Sequence, residues 1–277
     1  MNIAITGPAG LVGSRIIELL GDKHSFLPLG HSVVDVTSKE SVETALRGLD
    51  YDLLLHLAAY TNVDKAEIEP DQAHLLNVTA TKHVFDVTQS MNKKFVYIST
   101  DFVFSGNEDV YDEQSTPNPI GMYGKTKYLG EQEVRDRAMI VRISYPYRGA
   151  YEKRSDFYRT IRSLLSSGKS IGGITDSIIT PTFIDDIAHS LDYLMTHFSP
   201  EVYHVVGGDS MSPYDAFRTI ADTAGLSHDL IRQITYDEFF SGKAQRPRNG
   251  KTISTKNTFH PMKTFREGLI EIERSVK

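Results

Sequence analysis

Short apolar runs alternate along the chain with longer stretches whose apolar residues return every three or four positions. "MNIAIT" (1–6) is a β-type run that ends at glycine, and "LVGSRIIELLGD" (11–22) places Leu11, Ile16, Ile17 and Leu20 at helical spacing. "SFLPLG" (25–30) reads as a second strand, and "VTSKESVETALRGLD" (36–50) as a helix that Thr37 or Ser38 caps. "YDLLLHLAAY" (51–60) is a near-continuous apolar run, as expected of a parallel strand buried on both faces. A long helix over "PDQAHLLNVTATKHVFDVTQSM" (70–91) and a strand over "KFVYIST" (94–100) follow. A polar loop, a helix holding Tyr123 and the strand "AMIVRIS" (138–144) close this rhythm. Strands alternating with helices predict βαβ units, hence an α/β fold of Rossmann type with a doubly wound parallel sheet.

After about Pro146 the rhythm changes. Helices are predicted over 155–168, over most of 180–198 after a short lead-in, and over 212–226, where Ser212 caps and Pro213 takes the first turn. "EVYHVVGG" (201–208) is strand-like, and the tail from Ser241 is basic and irregular. The expected organisation is a dinucleotide-binding domain over 1–147 that also takes in parts of 172–200 and 250–258. A smaller, discontinuous substrate-binding part then occupies mainly 148–277.

Composition narrows the function classes. The chain has 277 residues, enough for one large domain or a large and a small one. A net charge of −6, dispersed along the chain, favours neither nucleic acid nor an anionic membrane surface as partner. The chain has no cysteine, which removes disulfides, thiolate metal sites and a cysteine nucleophile and fits a reducing compartment. No run approaches membrane-spanning length and the start lacks the marks of a secretion signal, so the expected location is cytoplasmic. The ten histidines show no ligand spacing, and no metal is expected.

Candidate chemistry lies at the strand ends. "ITGPAGLVGSRI" sets Gly7, Gly10 and Gly13 at three-residue spacing between the first strand and its helix, where a pyrophosphate rests on helix N-terminal amides. An ordinary strand-to-helix turn is the plainer alternative, but three glycines at this spacing so near the start favour dinucleotide binding. Leu11 and Val12 belong to the same cofactor-binding turn. The tip of the second strand, Leu29 to Ser32, carries no acid to repel a 2′-phosphate; His31 and Ser32 tolerate one, so NADPH is expected at least as readily as NADH. Thr100 and Asp101 end a central strand, where open α/β sheets bind ligands. Tyr123 and Lys127 are one helical turn apart across the same crevice. A phenol beside an ammonium is expected to ionise more readily than a free tyrosine and to pass its proton to an alkoxide as a hydride reaches a carbonyl carbon.

These segments, with "HLAAYTNVDKAEIEP" (56–70), "YISTDFVFSG" (97–106), "YGKTKYLGEQ" (123–132), "TPTFIDDIA" (180–188) and "RPRNGKTIST" (246–255), occur in the order seen in dTDP-4-dehydrorhamnose reductases. The chain resembles that family of the extended short-chain dehydrogenase/reductases over nearly its whole length. The resemblance implies NADPH- or NADH-dependent reduction of the 4-keto group of a nucleotide-activated 6-deoxyhexose, with Thr100, Tyr123 and Lys127 catalytic. It implies a cofactor-lining role for Leu57, Ala58, Ala59 and Tyr60, and for Asp35 and Val36 near the adenine. Asp101, Tyr145 and Arg246 would meet the substrate; Arg248 reads as a solvated basic residue. Tyr145 stands where the family carries a tryptophan, and Ser177 where it carries a glutamine. The partner implied is the nucleotide sugar, with a homodimer as the expected assembly. Two alternatives stay open on the residues: a non-catalytic regulatory subunit that keeps the dinucleotide fold, and a nucleotide-sugar epimerase or dehydratase.

Overall fold

A computed structural model describes residues 1–275. The chain begins β1 (Asn2–Thr6), α1 (Leu11–Leu20), β2 (Ser25–Leu29), α2 (Lys39–Arg47), β3 (Leu53–His56) and α3 (Val63–Ile68). The long helix predicted over 70–91 is α4 (Pro70–His74), a π-helical turn (Leu75–Thr79) and α5 (Ala80–Ser90) in succession. β4 (Lys94–Thr100), a 3₁₀ turn (Asp101–Val103), α6 (Met122–Val134), β5 (Met139–Ile143) and β6 (Pro146–Tyr147) follow. Next come α7 (Phe157–Ser166), β7 (Ile171–Ile174), β8 (Thr182–Phe183), α8 (Ile184–Thr196), β9 (Val202–His204), α9 (Pro213–Ala224), β10 (Ile231–Ile234), α10 (Tyr236–Phe240) and α11 (Phe265–Ser275).

Six strands form one parallel sheet in the order β2-β1-β3-β4-β5-β9. The strand alternation predicted this doubly wound sheet, and the reason lies in the two core layers. Ile3, Ile5, Leu53, Leu55, Val96 and Val141 face α1 and α8, whose Ile16, Leu20, Ile187 and Leu191 complete one buried layer. The intervening Ala4, Leu54, Phe95, Tyr97 and Ile140 face α2 and α5 on the other side. Both faces are covered, so the central strands are mostly apolar along their length. β9 and α8, from late in the chain, belong to this sheet and its first layer.

A third cluster joins Tyr147, Tyr158, Phe183, Ile220, Phe265 and Leu269, from β6, α7, β8, α9 and α11. Helix α11 lies in the tail that the sequence reads as irregular: Phe265 and Leu269 are fully buried while Arg266 and Glu267 are exposed. The irregular stretch before it is pinned to the rest by backbone hydrogen bonds, Ile178 N to Arg248 O (2.9 Å), Tyr111 N to Lys251 O (2.9 Å) and Gly250 N to Ile178 O (2.8 Å).

Candidate active site

The chain leaves β1 toward β2 on one side and later returns to β3 on the other, so the carboxyl ends of β1 and β3 bound a topological switch point where such sheets open a crevice. Thr6 ends β1 opposite His56 of β3, and its hydroxyl oxygen accepts from Leu57 N (3.1 Å) and Ala58 N (3.2 Å). Gly7 then turns at φ 66°, with room for no side chain: a Cβ would stand 3.0 Å from Ala58 N. Helix α1 starts after Gly10 with no side chain capping it, which leaves its first amides for an anionic ligand at Leu11 and Val12. Leu57, Ala58, Ala59 and Tyr60 line the crevice half-buried.

Asn77, inside the π-helical turn, was not singled out from sequence. It is fully buried; Tyr60 N donates to its Oδ1 (2.8 Å), while its Nδ2 donates to Tyr60 O (3.1 Å) and Thr126 Oγ1 (3.0 Å). The extra residue of a π turn is a recurrent device at functional sites. Here it ties the crevice wall to α6, the helix of Tyr123.

Helix α6 approaches the end of β4 closely because Gly124 has no side chain; a Cβ there would fall 2.1 Å from Phe102 O. That approach brings Tyr123 and Lys127 to Thr100. The Thr100 hydroxyl donates to Asp101 Oδ1 (3.1 Å), accepts from Phe102 N (3.2 Å) and lies near the Tyr123 phenol. Asp101 is buried beneath this group and accepts a 2.7 Å bond from Ser144 Oγ. Burial pushes its carboxyl up to about 6, against the pull of its Ser144 and Thr100 hydrogen bonds. Lys127, 3% exposed, donates to Ile98 O (2.8 Å) and lies 4.0 Å over the Tyr97 ring.

The expected easing of Tyr123 ionisation by Lys127 is not what the structure holds. Burial pushes the phenol up to about 12; the neighbouring Thr100 hydroxyl opposes this and the Asp101 charge adds to it. Burial also pushes the Lys127 amine down to about 7, with Glu131 pulling the other way, and the amine is turned to the Ile98 carbonyl. A phenol that keeps its proton through the neutral range is the form an acid requires.

Phe102 packs edge-on against Tyr123 (5.5 Å between ring centres) and tilted against Tyr145 (6.2 Å), which meets Phe157 edge-on (6.1 Å). Tyr145 has φ 36°, an uncommon backbone state for a bulky residue and a form of strain that clusters at functional sites. Burial pushes the Tyr145 phenol up and the Asp101 charge adds to this, while the Arg246 charge pulls it back. The Arg246 guanidinium is engaged by Asp64 (2.9 Å) and by the carbonyl of Ala244 (2.8 Å). Arg248 is half-exposed and pairs with Asp237 (2.8 Å). Ser177 is buried. The remaining expected residues lie apart from this cluster. Asp35 is exposed, and its carboxylate closes the turn into α2 by accepting from Thr37 N (2.9 Å) and Thr37 Oγ1 (2.7 Å), while Val36 is buried. His31 and Ser32 are exposed in the turn after β2.

A doubly wound sheet, a glycine turn at its switch point, and Thr100, Tyr123 and Lys127 at one strand end define an extended short-chain dehydrogenase/reductase. The chain belongs to the RmlD substrate binding domain family, whose profile matches residues 1–276. It is similar to the dTDP-4-dehydrorhamnose reductase of Mycolicibacterium smegmatis, with 29% identity over 97% of this chain and 84% of that protein. The crystal structure of dTDP-4-dehydrorhamnose reductase from Bacillus anthracis in complex with NADP superposes with a TM-score of 0.92 at 30% identity, covering 99% of each chain. The methionine adenosyltransferase 2 subunit beta of Xenopus tropicalis is 28% identical over 91% of this chain and 80% of its own length. Among the described residues no helix is long and apolar enough to cross a membrane.

Proposed function

We propose that this protein reduces the 4-keto group of dTDP-4-dehydrorhamnose to give dTDP-rhamnose, using NADPH or NADH. The observation that carries the reading is the convergence of Thr100, Tyr123 and Lys127 beside a glycine turn whose helix has no side-chain cap. The residues fit a dinucleotide: Gly7, Gly10, Leu11, Val12 and Gly13 would hold its pyrophosphate, Leu57 to Tyr60 would line its path, and the tip of β2 presents no acid to a 2′-phosphate. When bound, the dinucleotide supplies the hydride. Tyr123 gives its phenolic proton to the alkoxide oxygen that forms at C4, so one hydride and one proton turn the ketone into an alcohol. Thr100 orients that oxygen. Lys127 would hold the cofactor ribose through its amine, which the Ile98 carbonyl orients. Asp101, Tyr145 and Arg246 form the sugar-facing side. Cytoplasmic work on a nucleotide sugar, without nucleic acid or membrane partner, agrees with the dispersed charge and the lack of cysteine.

A 4,6-dehydratase needs a further acid and base after the strand threonine. Phe102 stands there with its ring against Tyr123, which favours simple reduction. A binding-only subunit, the reading that the likeness to the methionine adenosyltransferase subunit keeps in view, has no use for a buried amine held one turn from a phenol that keeps its proton. The deciding experiment follows absorbance loss of NADPH and NADH with dTDP-4-dehydrorhamnose. One equivalent of either cofactor oxidised per dTDP-rhamnose formed is expected, with NADPH at least as effective. Tight binding of cofactor without turnover would instead favour the subunit reading.

A further inference from the structure

The turn between β6 and α7 does something that the proton-transfer site does not require. Arg148, 4% exposed, donates from NH1 to Ser14 Oγ (3.1 Å) and from NH2 to Glu18 Oε2 (2.6 Å), both on α1. Three residues on, the Tyr151 hydroxyl donates to Ala9 O (2.7 Å), a carbonyl of the glycine-rich turn itself. The two side chains support each other, the Arg148 guanidinium lying 4.8 Å over the Tyr151 ring. The far end of the segment is also anchored. Asp156 caps α7 by accepting from Arg159 N (2.9 Å), its other oxygen accepts from Arg148 N (3.2 Å), and Arg159 donates to the carbonyls of Tyr151 and Arg154. A segment continuous with the third core cluster therefore reaches across to the turn that starts α1, fixed at both ends. Arg148 also brings a buried positive charge to α1, one turn past the amides of Leu11 and Val12, and its Nε has no partner among the described residues. Glu18 balances that charge, and its carboxyl is held below the usual range by the Arg148 and Arg15 hydrogen bonds, against the effect of burial.

We propose that Arg148–Asp156 is a strap that retains the bound dinucleotide, with Tyr151 as its clasp on the phosphate-binding turn and Arg148 as its clasp on the helix that follows. The inference rests on the dinucleotide reading above. A strap of this kind slows cofactor dissociation and leaves hydride transfer alone, because neither clasp reaches Thr100, Tyr123 or Lys127. It also couples the phosphate turn to α7 and its cluster, so that release of the cofactor requires the β6–α7 segment to lift.

The test uses the full chain and three proteins: wild type, Tyr151→Phe and Arg148→Met. NADPH dissociation is followed by stopped-flow fluorescence on displacement with excess NADP⁺, and single-turnover reduction is measured at saturating NADPH. Loss of one clasp is expected to speed dissociation by roughly three- to tenfold, the range that one hydrogen bond controls, while the single-turnover rate stays within about twofold. Tyr151→Phe deletes one oxygen from a side chain at the surface and retains its ring, so it reports on the strap even if Arg148→Met folds poorly. Dissociation from Tyr151→Phe at the wild-type rate overturns the strap and leaves the reductase reading standing. A wild-type protein that binds neither NADPH nor NADH overturns both.

Discussion

The proposed dinucleotide wall of the crevice comes from two continuous stretches, Thr6–Gly13 and Leu57–Tyr60, whereas the proposed reacting wall gathers Thr100, Tyr123, Ser144, Tyr145 and Phe157 from elements far apart in the chain. The first wall is a backbone structure. Its shape follows from a left-handed glycine, a strand end bonded to Thr6 and an uncapped helix. The second is a side-chain structure, and burial sets its chemistry. Burial acts on Tyr123 and Lys127 in opposite numerical directions, up to about 12 and down to about 7, yet in one physical direction, toward the neutral form of each. A charged pair is what their spacing suggests; an uncharged acid beside a weakly charged amine is what their surroundings produce.

If the reacting wall works by a single proton donor, Tyr123→Phe breaks it most. Turnover should fall by roughly 10² to 10⁴-fold while NADPH binding and the thermal transition stay near wild type, checked by steady-state kinetics, fluorescence titration and calorimetry. Near-normal turnover would remove the phenol from the mechanism.

The dinucleotide wall breaks at its backbone. Gly7→Ala forces a left-handed alanine whose Cβ meets Ala58 N at 3.0 Å. A cost of about 1–2 kcal/mol in urea unfolding is expected, with NADPH affinity lower by roughly tenfold. Stability lost with affinity unchanged would mean that the turn does not carry the phosphate.

The pH dependence of stability sharpens the claim about burial. Folding lowers the Lys127 amine from its ordinary 10.5 to about 7, so between these values the unfolded chain holds the proton that the folded chain has released. Stability therefore rises with pH across that window, and the penalty of burying the amine is fully present below it. Lys127→Met should exceed wild type in stability most at pH 7 and below, with the gap narrowing as pH approaches 10.5. Urea unfolding across that range measures it, and a gap independent of pH would show that the amine is charged and satisfied where it lies. The smallest effect is expected at Arg248. Its pairs with Asp237 and Asp176 are exposed, so Arg248→Ala should change stability by less than about 1 kcal/mol and turnover hardly at all.

Much of the fold was legible because period and punctuation are local. The apolar run 51–60 and the glycine spacing 7-10-13 each state their structure within a few residues. Ser38 and Ser212 cap α2 and α9 as their positions suggested. The misses also have local causes. Helix α11 sits in a basic tail, where charge hides the spacing of Phe265, Leu269 and Ile272. The π-helical turn at Leu75–Thr79 gives no periodic signal, since one extra residue per turn is invisible without knowing that Asn77 must reach both Tyr60 and Thr126.

Residue types and their order along the chain were enough to specify a parallel doubly wound sheet, a glycine turn between its first strand and helix, and a phenol one helical turn from an amine, because each depends on neighbours within about one turn or one strand. Which way those groups titrate, how close α6 comes to Phe102, that Arg246 is held by Asp64, and that Tyr151 reaches Ala9 came only with the folded chain. Desolvation and contact between distant segments depend on where the whole chain packs. No window of sequence contains the low-dielectric surroundings that keep the proton on Tyr123.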